Sequence, residues 1–227
     1  MSESGDSIDD IVMVWHSLEA EVWERALTRY WSFVQPTNLE LERVMAVLDL
    51  SRIRQLDPQG WYDFLLKEYF PWKYTARNRL ASTTRHLRQY ADTGSLDELY
   101  RIKQNLLIVD QADTRKALRV ASNIKGLGTA GASGLLALLY PGMFGTVDQF
   151  MVKALRQIES LPESAALARM NPEQLTIPNA VMLIKITRRK ADENNHLFHT
   201  TFWTPRKIDM ILWTYGRYHV TQLSREP

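Results

Sequence analysis

Residues 124–148 read IKGLGTAGASGLLALLYPGMFGTVD, and this run constrains the fold more than any other part of the chain. Gly126 and Gly128 flank Leu127. Glycines there open positive φ and leave no side chain between the backbone and whatever approaches it. The apolar residues that follow predict a helix over Thr129–Tyr140, starting directly at that turn. Such a helix begins with unpaired N–H groups and the positive end of its dipole, which together make a phosphate site. Lys125 stands beside the turn, where it can meet a phosphate. The loop through Pro141, Gly142 and Gly145 then delivers a single carboxylate, Asp148, at the mouth of another helix. A backbone clamp followed closely by a lone acid points to chemistry on a nucleic-acid backbone or on something attached to it.

Gly126, Leu127, Gly128 and Ala132, with Val147 and Asp148 in register downstream, resemble the helix-hairpin-helix–Gly/Pro–Asp motif of the endonuclease III superfamily of DNA glycosylases. The likeness covers residues 124–148. It implies an all-α, two-lobed helical bundle, with residues 75–139 as the central lobe and residues 11–74 plus 140–227 as the other. It also implies double-stranded DNA as the partner. The hairpin residues Lys125, Gly126, Leu127, Gly128, Thr129 and Gly131 would hold its backbone, and Asp148 would be catalytic. Members that also cut the strand carry a lysine two residues after the second hairpin glycine, where this chain has Ala130. The resemblance therefore implies a monofunctional enzyme that hydrolyses the N-glycosidic bond and leaves an abasic site. The alternative is a helix-hairpin-helix module that binds DNA without catalysis. A monovalent cation on the hairpin carbonyls would be structural, as in the family.

The chain contains no cysteine, which excludes disulfides, thiolate zinc sites and the family's four-cysteine iron–sulfur cluster. No cofactor or metal is expected. His196 and His199 have i, i+3 spacing but no evident third ligand. No apolar run approaches the roughly 18 residues of a membrane span, and no signal pattern opens the chain. A monomeric cytoplasmic protein is expected. Glu3, Asp6, Asp9 and Asp10 make residues 1–10 an acidic tail, while the net charge is only +2. Lys67, Lys73, Arg77, Arg79, Arg85 and Arg88 concentrate positive charge in one stretch. That stretch can follow a phosphate backbone or be a solvated helix face.

Helical periodicity runs through nearly the whole chain. One stripe extends over Ile8–Val34, and Thr37 or Asn38 can cap a second helix ending at Leu48. Asp57 and Pro58 start a third, with Pro71 interrupting after Phe70. Further helices are expected at Thr75–Tyr90, from Ser95 with a Glu98 capping box, and from Asp113 or Thr114 into the Gly-x-Gly turn. Others are expected near Thr146–Glu159, Pro162–Met170, Pro178–Asp192 and Pro205–Tyr218. Leu106–Val109 and Leu197–Phe202 are the only brief strand candidates.

Breaking a C–N glycosidic bond passes through a cationic sugar, which a carboxylate can stabilise while it orients or deprotonates water. Asp148 suits that role and equally suits an N-cap, and one carboxylate can do both. A base must leave the duplex to be attacked, which needs an aromatic pocket and a wedge. Trp72, Lys73 and Tyr74, between two helices, are the candidates, with core packing an equal account of the aromatics. The resemblance implies an altered or modified base, in base-excision repair or in defence against modified phage DNA. Arg206 and Lys207 are a second candidate DNA contact. Lys185, Arg188, Arg189 and Lys190 read as a solvated helix face.

Overall fold

In the computed structural model, which describes residues 10–223, Asp10 caps α1 (Ile11–His16) by accepting from the Val12 N–H at 3.1 Å. Apart from Asp10, the acidic tail lies outside the described residues. The stripe expected as one helix to Val34 is two, because Ser17 is extended and its carbonyl accepts from Trp23 Nε1 at 3.2 Å. After that turn comes α2 (Ala20–Phe33). A 3-10 turn at Pro36–Asn38 leads into α3 (Leu39–Ala46), where Asn38 makes no side-chain cap. Asp49 caps α4 (Leu50–Gln55), and Asp57 caps α5 (Pro58–Phe64) by accepting from the Gly60 N–H at 2.7 Å.

Pro71 does not break the chain where expected. A π-helical turn at Leu65–Tyr69 runs straight into α6 (Phe70–Lys73), with Pro71 in the first turn of that segment. α7 (Arg77–Asp92) and α8 (Leu96–Ile108) follow. The expected Ser95 capping box is absent; the Ser95 hydroxyl pairs with that of Thr93 at 2.5 Å. Asp113 caps α9 (Thr114–Ser122), accepting from the Lys116 N–H at 2.9 Å. Then come α10 (Thr129–Leu139), α11 (Gln149–Leu155), α12 (Ser164–Arg169), α13 (Ile177–Leu197) and α14 (Pro205–Leu223). No strand occurs among the described residues. Leu106 lies in α8, and residues 198–202 form a turn in which His199 has φ of 51°.

α10 is apolar on all sides, and every residue from Gly131 to Leu139 is buried. A helix of that kind must be covered all round. α9 and α13 pack on it, and α5, α7 and α8 build outward from α9. A second group gathers α11, α2 and α13 around α14, and one continuous apolar core joins the two. α5 packs on α8, and α6 packs on both α7 and α3. No helix among the described residues is long and apolar enough to cross a membrane.

The start of α11 rests on α14 at Gly216, where an added Cβ would overlap the Phe150 carbonyl. Alanine is the better helix former by about 1 kcal/mol. Overpacking against backbone costs about 1–3 kcal/mol and has no flexible side chain to absorb it. Gly216→Ala is therefore expected to destabilise the protein by up to about 2 kcal/mol. A drop in the urea midpoint at unchanged slope would show it.

Candidate functional site

The α9–α10 turn is shaped by two different demands. Gly126 has φ of 93°, and a Cβ there would stand 2.6 Å from the Thr83 carbonyl oxygen. Its freedom serves packing of the turn against α7. Gly128 is extended, with φ of −81° and ψ of −175°, so positive φ is not needed there. An added Cβ at Gly128 would meet nothing within 4 Å, so this glycine leaves the surface open. As N-cap of α10, Gly128 offers no side-chain acceptor. The first-turn N–H groups of Thr129, Ala130 and Gly131 accordingly find no acceptor among the described residues. They are placed to receive an anion.

The other turn residues are fixed from below. Leu127 buries its side chain, leaving only its backbone for a ligand. Lys125 lies with Nζ 4.4 Å from the Tyr90 ring centre, and its backbone N–H donates to the Tyr90 hydroxyl at 3.2 Å. Gly131 is buried beneath the Tyr74 hydroxyl, and its carbonyl accepts from Tyr69.

Asp148 is placed by the loop before it. The Val147 N–H donates to Ser133 Oγ at 2.9 Å, and Ser133 Oγ donates to the Ala130 carbonyl at 2.9 Å. The Thr146 N–H donates to Asp209 Oδ2 at 2.6 Å. Asp148 Oδ1 then caps α11, accepting from the N–H groups of Phe150 at 2.9 Å and Met151 at 3.0 Å. Oδ2 makes no hydrogen bond among the described residues. One oxygen orients the carboxylate and the other is left for chemistry.

Two cavities meet at this carboxylate. A groove of about 610 Å³ runs along the α9–α10 turn and the first turn of α10, with Arg79 on its opposite wall. A pocket of about 470 Å³ lies behind, walled by the rings of Tyr30, Trp72, Phe150 and Trp213. Lys73, Thr75, Asp148 and Phe150 border both. Thr146 Oγ1 is buried at the pocket wall without a hydrogen-bond partner, ready to receive a polar group of a ligand.

An ion network closes the pocket floor. Arg206 donates to Asp209 Oδ1 at 2.6 Å, to Glu42 Oε1 at 3.1 Å and to the Tyr30 hydroxyl at 3.4 Å. Burial pushes the Asp209 carboxyl up to about 7, against the pull of Arg206 and the Thr146 N–H. Burial likewise raises the Tyr30 hydroxyl, and it lowers the Lys73 amine below its ordinary range against the opposing field of Asp148. Trp72 Nε1 donates to Glu42 Oε2 at 2.5 Å, and the Arg206 guanidinium lies 5.5 Å from the Trp72 ring centre.

The three residues expected for a base pocket or wedge are placed as follows. Trp72 lines the pocket as a fixed wall. Tyr74 is buried against Phe70, with its hydroxyl 3.4 Å from the Gly126 carbonyl, so it supports the turn. Lys73 reaches the neck between the cavities. The segment expected as an exposed aromatic loop is helical, and Phe70 within it is fully buried. Lys207 sits over the Phe202 ring, away from the cleft. Arg188 donates to the carbonyls of Met143 and Gln111, and Arg189 pairs with Glu163. His196 and His199 line a shallow surface depression, and no cluster of three potential ligands for a metal ion occurs among the described residues.

Sequence reasoning missed the Glu42–Arg206–Asp209 network, Ser133, and the pocket rings of Tyr30, Phe150 and Trp213. Arg206 and Asp209 stand at i, i+3 on α14, which is a legible pairing; nothing local to Glu42 announces its partner. No family model, curated protein or solved structure matches the chain.

The raised Asp209 carboxyl has a pH consequence. Its folded value near 7 exceeds the ordinary value near 4, so the folded state holds a proton that the unfolded chain releases. This contribution to stability is fully present below about pH 4 and is lost as pH rises to about 7. Asp209→Asn should flatten that part of the stability profile, whatever its absolute stability. Urea midpoints taken from pH 4 to pH 7 would check this; an unchanged slope in the variant would contradict it.

Proposed function

We propose that this protein is a DNA glycosylase. It hydrolyses the N-glycosidic bond of an altered or modified base in double-stranded DNA and leaves an abasic site. The reading takes α9, its turn and α10 as a helix-hairpin-helix, within an endonuclease III-like bundle. The observation that carries it is Asp148 at the neck between a groove suited to phosphate and a pocket walled by aromatic rings.

The chemistry follows from that juxtaposition. Backbone N–H groups at Gly128–Gly131 receive a phosphate of the target strand, aided by the α10 dipole. The flipped base enters the ring-walled pocket, where stacking on an aromatic face is worth about 1–3 kcal/mol per base. Thr146 Oγ1 supplies a hydrogen bond to a base edge. The anomeric carbon then lies at the neck, facing Asp148. As the C–N bond lengthens, the carboxylate stabilises the cationic sugar and directs water to it. Position 130 is alanine, so no amine from α10 competes with water in base release. The base takes the bonding electron pair and leaves through the pocket.

A panel of duplexes bearing damaged or modified bases tests this, with free base as the readout. Asp148→Asn should lower release by about 100-fold or more, the scale of losing one aimed electrostatic group. DNA affinity at fixed salt should stay within about threefold, because the anion site is backbone. Equal loss of affinity and release would reduce Asp148 to a helix cap. Binding without base release across the panel would favour a non-catalytic helix-hairpin-helix module.

A further inference from the structure

The pocket behind Asp148 is larger and more polar than a base alone requires. Its volume is about 470 Å³. Pockets of roughly 300–1,000 Å³ take ligands of drug size, whereas a flipped base is one flat ring system held in a snug site. Rings make one part of the wall. Tyr30 and Phe150 each stand edge-to-face with Trp213, at centroid distances of 5.4 and 6.1 Å. The Arg206 guanidinium lies 5.8 Å from the Tyr30 ring centre and 5.5 Å from that of Trp72. Amides make another part. Gln35 and Asn38, from the 3-10 turn between α2 and α3, line the pocket but not the groove, so they lie off the neck. Neither side chain has a hydrogen-bond partner among the described residues. Gln35 is exposed and Asn38 half-buried, so a group held there keeps part of its hydration. Each amide donates through nitrogen and accepts through oxygen, as a hydroxyl-rich ligand needs. The charges in the wall are already paired, Arg206 with Glu42 at 3.1 Å and with Asp209 at 2.6 Å, so they call for no charged ligand.

We infer that the base taken by this pocket carries a glycosyl group on the edge remote from the N-glycosidic bond. The inference rests on the glycosylase reading for its reaction and names the substrate class of that site. With the anomeric carbon at Asp148, the flat ring system occupies the ring-walled part and its far edge leads away from the neck. The sugar then lies where Gln35 and Asn38 offer both donors and acceptors. Its hydroxyls bond to the amides, and its C–H face lies on an aromatic face, which is apolar with a polar rim. An alkyl group of the same bulk would cover both amides without satisfying them, which costs affinity. A small lesion gains nothing from either amide. The wall thus selects for bulk and hydroxyls, and not for damage to the ring.

The test uses the full chain and duplexes that differ at one base. One carries 5-hydroxymethylcytosine, one the same base with glucose on its hydroxymethyl oxygen, as either anomer, and one uracil. Wild type should release the glucosylated base intact, identified by mass, about 100-fold or more faster than the other two. Gln35→Ala and Asn38→Ala should each narrow that preference by about tenfold, the scale of one hydrogen bond. Both should unfold at the wild-type midpoint, because neither side chain caps a helix. Release of the unglucosylated base or of uracil at an equal or greater rate overturns the inference and leaves the glycosylase reading standing. A preference that both alanine variants leave unchanged overturns it too. If no duplex loses its base, calorimetric titration with the free nucleosides, with and without glucose, decides the matter without any reaction. Tighter binding of the glucosylated nucleoside, by about tenfold and lost in the double variant, keeps the pocket assignment and refutes the glycosylase reading alone. Equal binding, or none, refutes both. Free glucose with the base retained puts the cut at the other bond, which refutes the N-glycosidic reaction and keeps the sugar in the pocket.

Discussion

The buried guanidinium of Arg206 is the constraint around which the cleft is arranged. A charge out of water must be paired and hydrogen-bonded, and removing one partner of such a pair costs about 3–5 kcal/mol. Arg206 meets that demand with Asp209 on its own helix, Glu42 on α3 and the hydroxyl of Tyr30 on α2. Each partner then holds something else. Glu42 accepts from Trp72 and sets one wall of the pocket. Asp209 accepts from the Thr146 N–H and so fixes the loop two residues before Asp148. One cation thereby aligns three helices and a loop. The raised Asp209 carboxyl reflects the same enclosure, since burial penalises its charged form more than Arg206 favours it.

The cleft joins two surfaces of unlike chemistry. On the α9–α10 side the ligand-facing groups are backbone N–H donors, which bind a repeating anion regardless of base sequence. On the α14 side they are rings and a lone hydroxyl, which suit a single flat heterocycle. The two meet at Asp148 and Lys73. The acid has one capped oxygen and one open one; the lysine stem crosses α10 at Gly134. A site that held only a phosphate would need neither the rings nor the carboxylate at the neck.

Much of the local structure was legible because it depends on near neighbours. Asp57, Asp113 and Asp148 each cap the helix that their spacing predicts, since a cap needs only an acceptor and the amides two or three residues on. Ser95 has the same pattern, yet its hydroxyl turns to Thr93, a competing partner equally close in the chain. Pro71 read as a break because interior proline usually is one; the π-helical turn before it supplies a fresh helix start where its missing N–H does no harm. Gly126 and Gly128 looked equivalent. Only the approach of the Thr83 carbonyl decides that one needs positive φ while the other merely stays bare.

The sequence alone determined the all-helical class, most helix starts, the Gly-x-Gly turn opening α10, and an acid following it on a short loop. These are set by periodicity, capping and backbone freedom, which act over a few residues. Tertiary structure decided which side chains share the cleft. Glu42 and Arg206 are far apart in the chain, as are Lys73 and Gly134, and pairing depends on how α3, α6, α10 and α14 cross. Burial is likewise a property of the packed whole. It fixes Trp72 as a pocket wall and Tyr74 as a support for the turn, and it shifts Lys73 and Asp209, because the cost of a charge depends on everything that has displaced water around it.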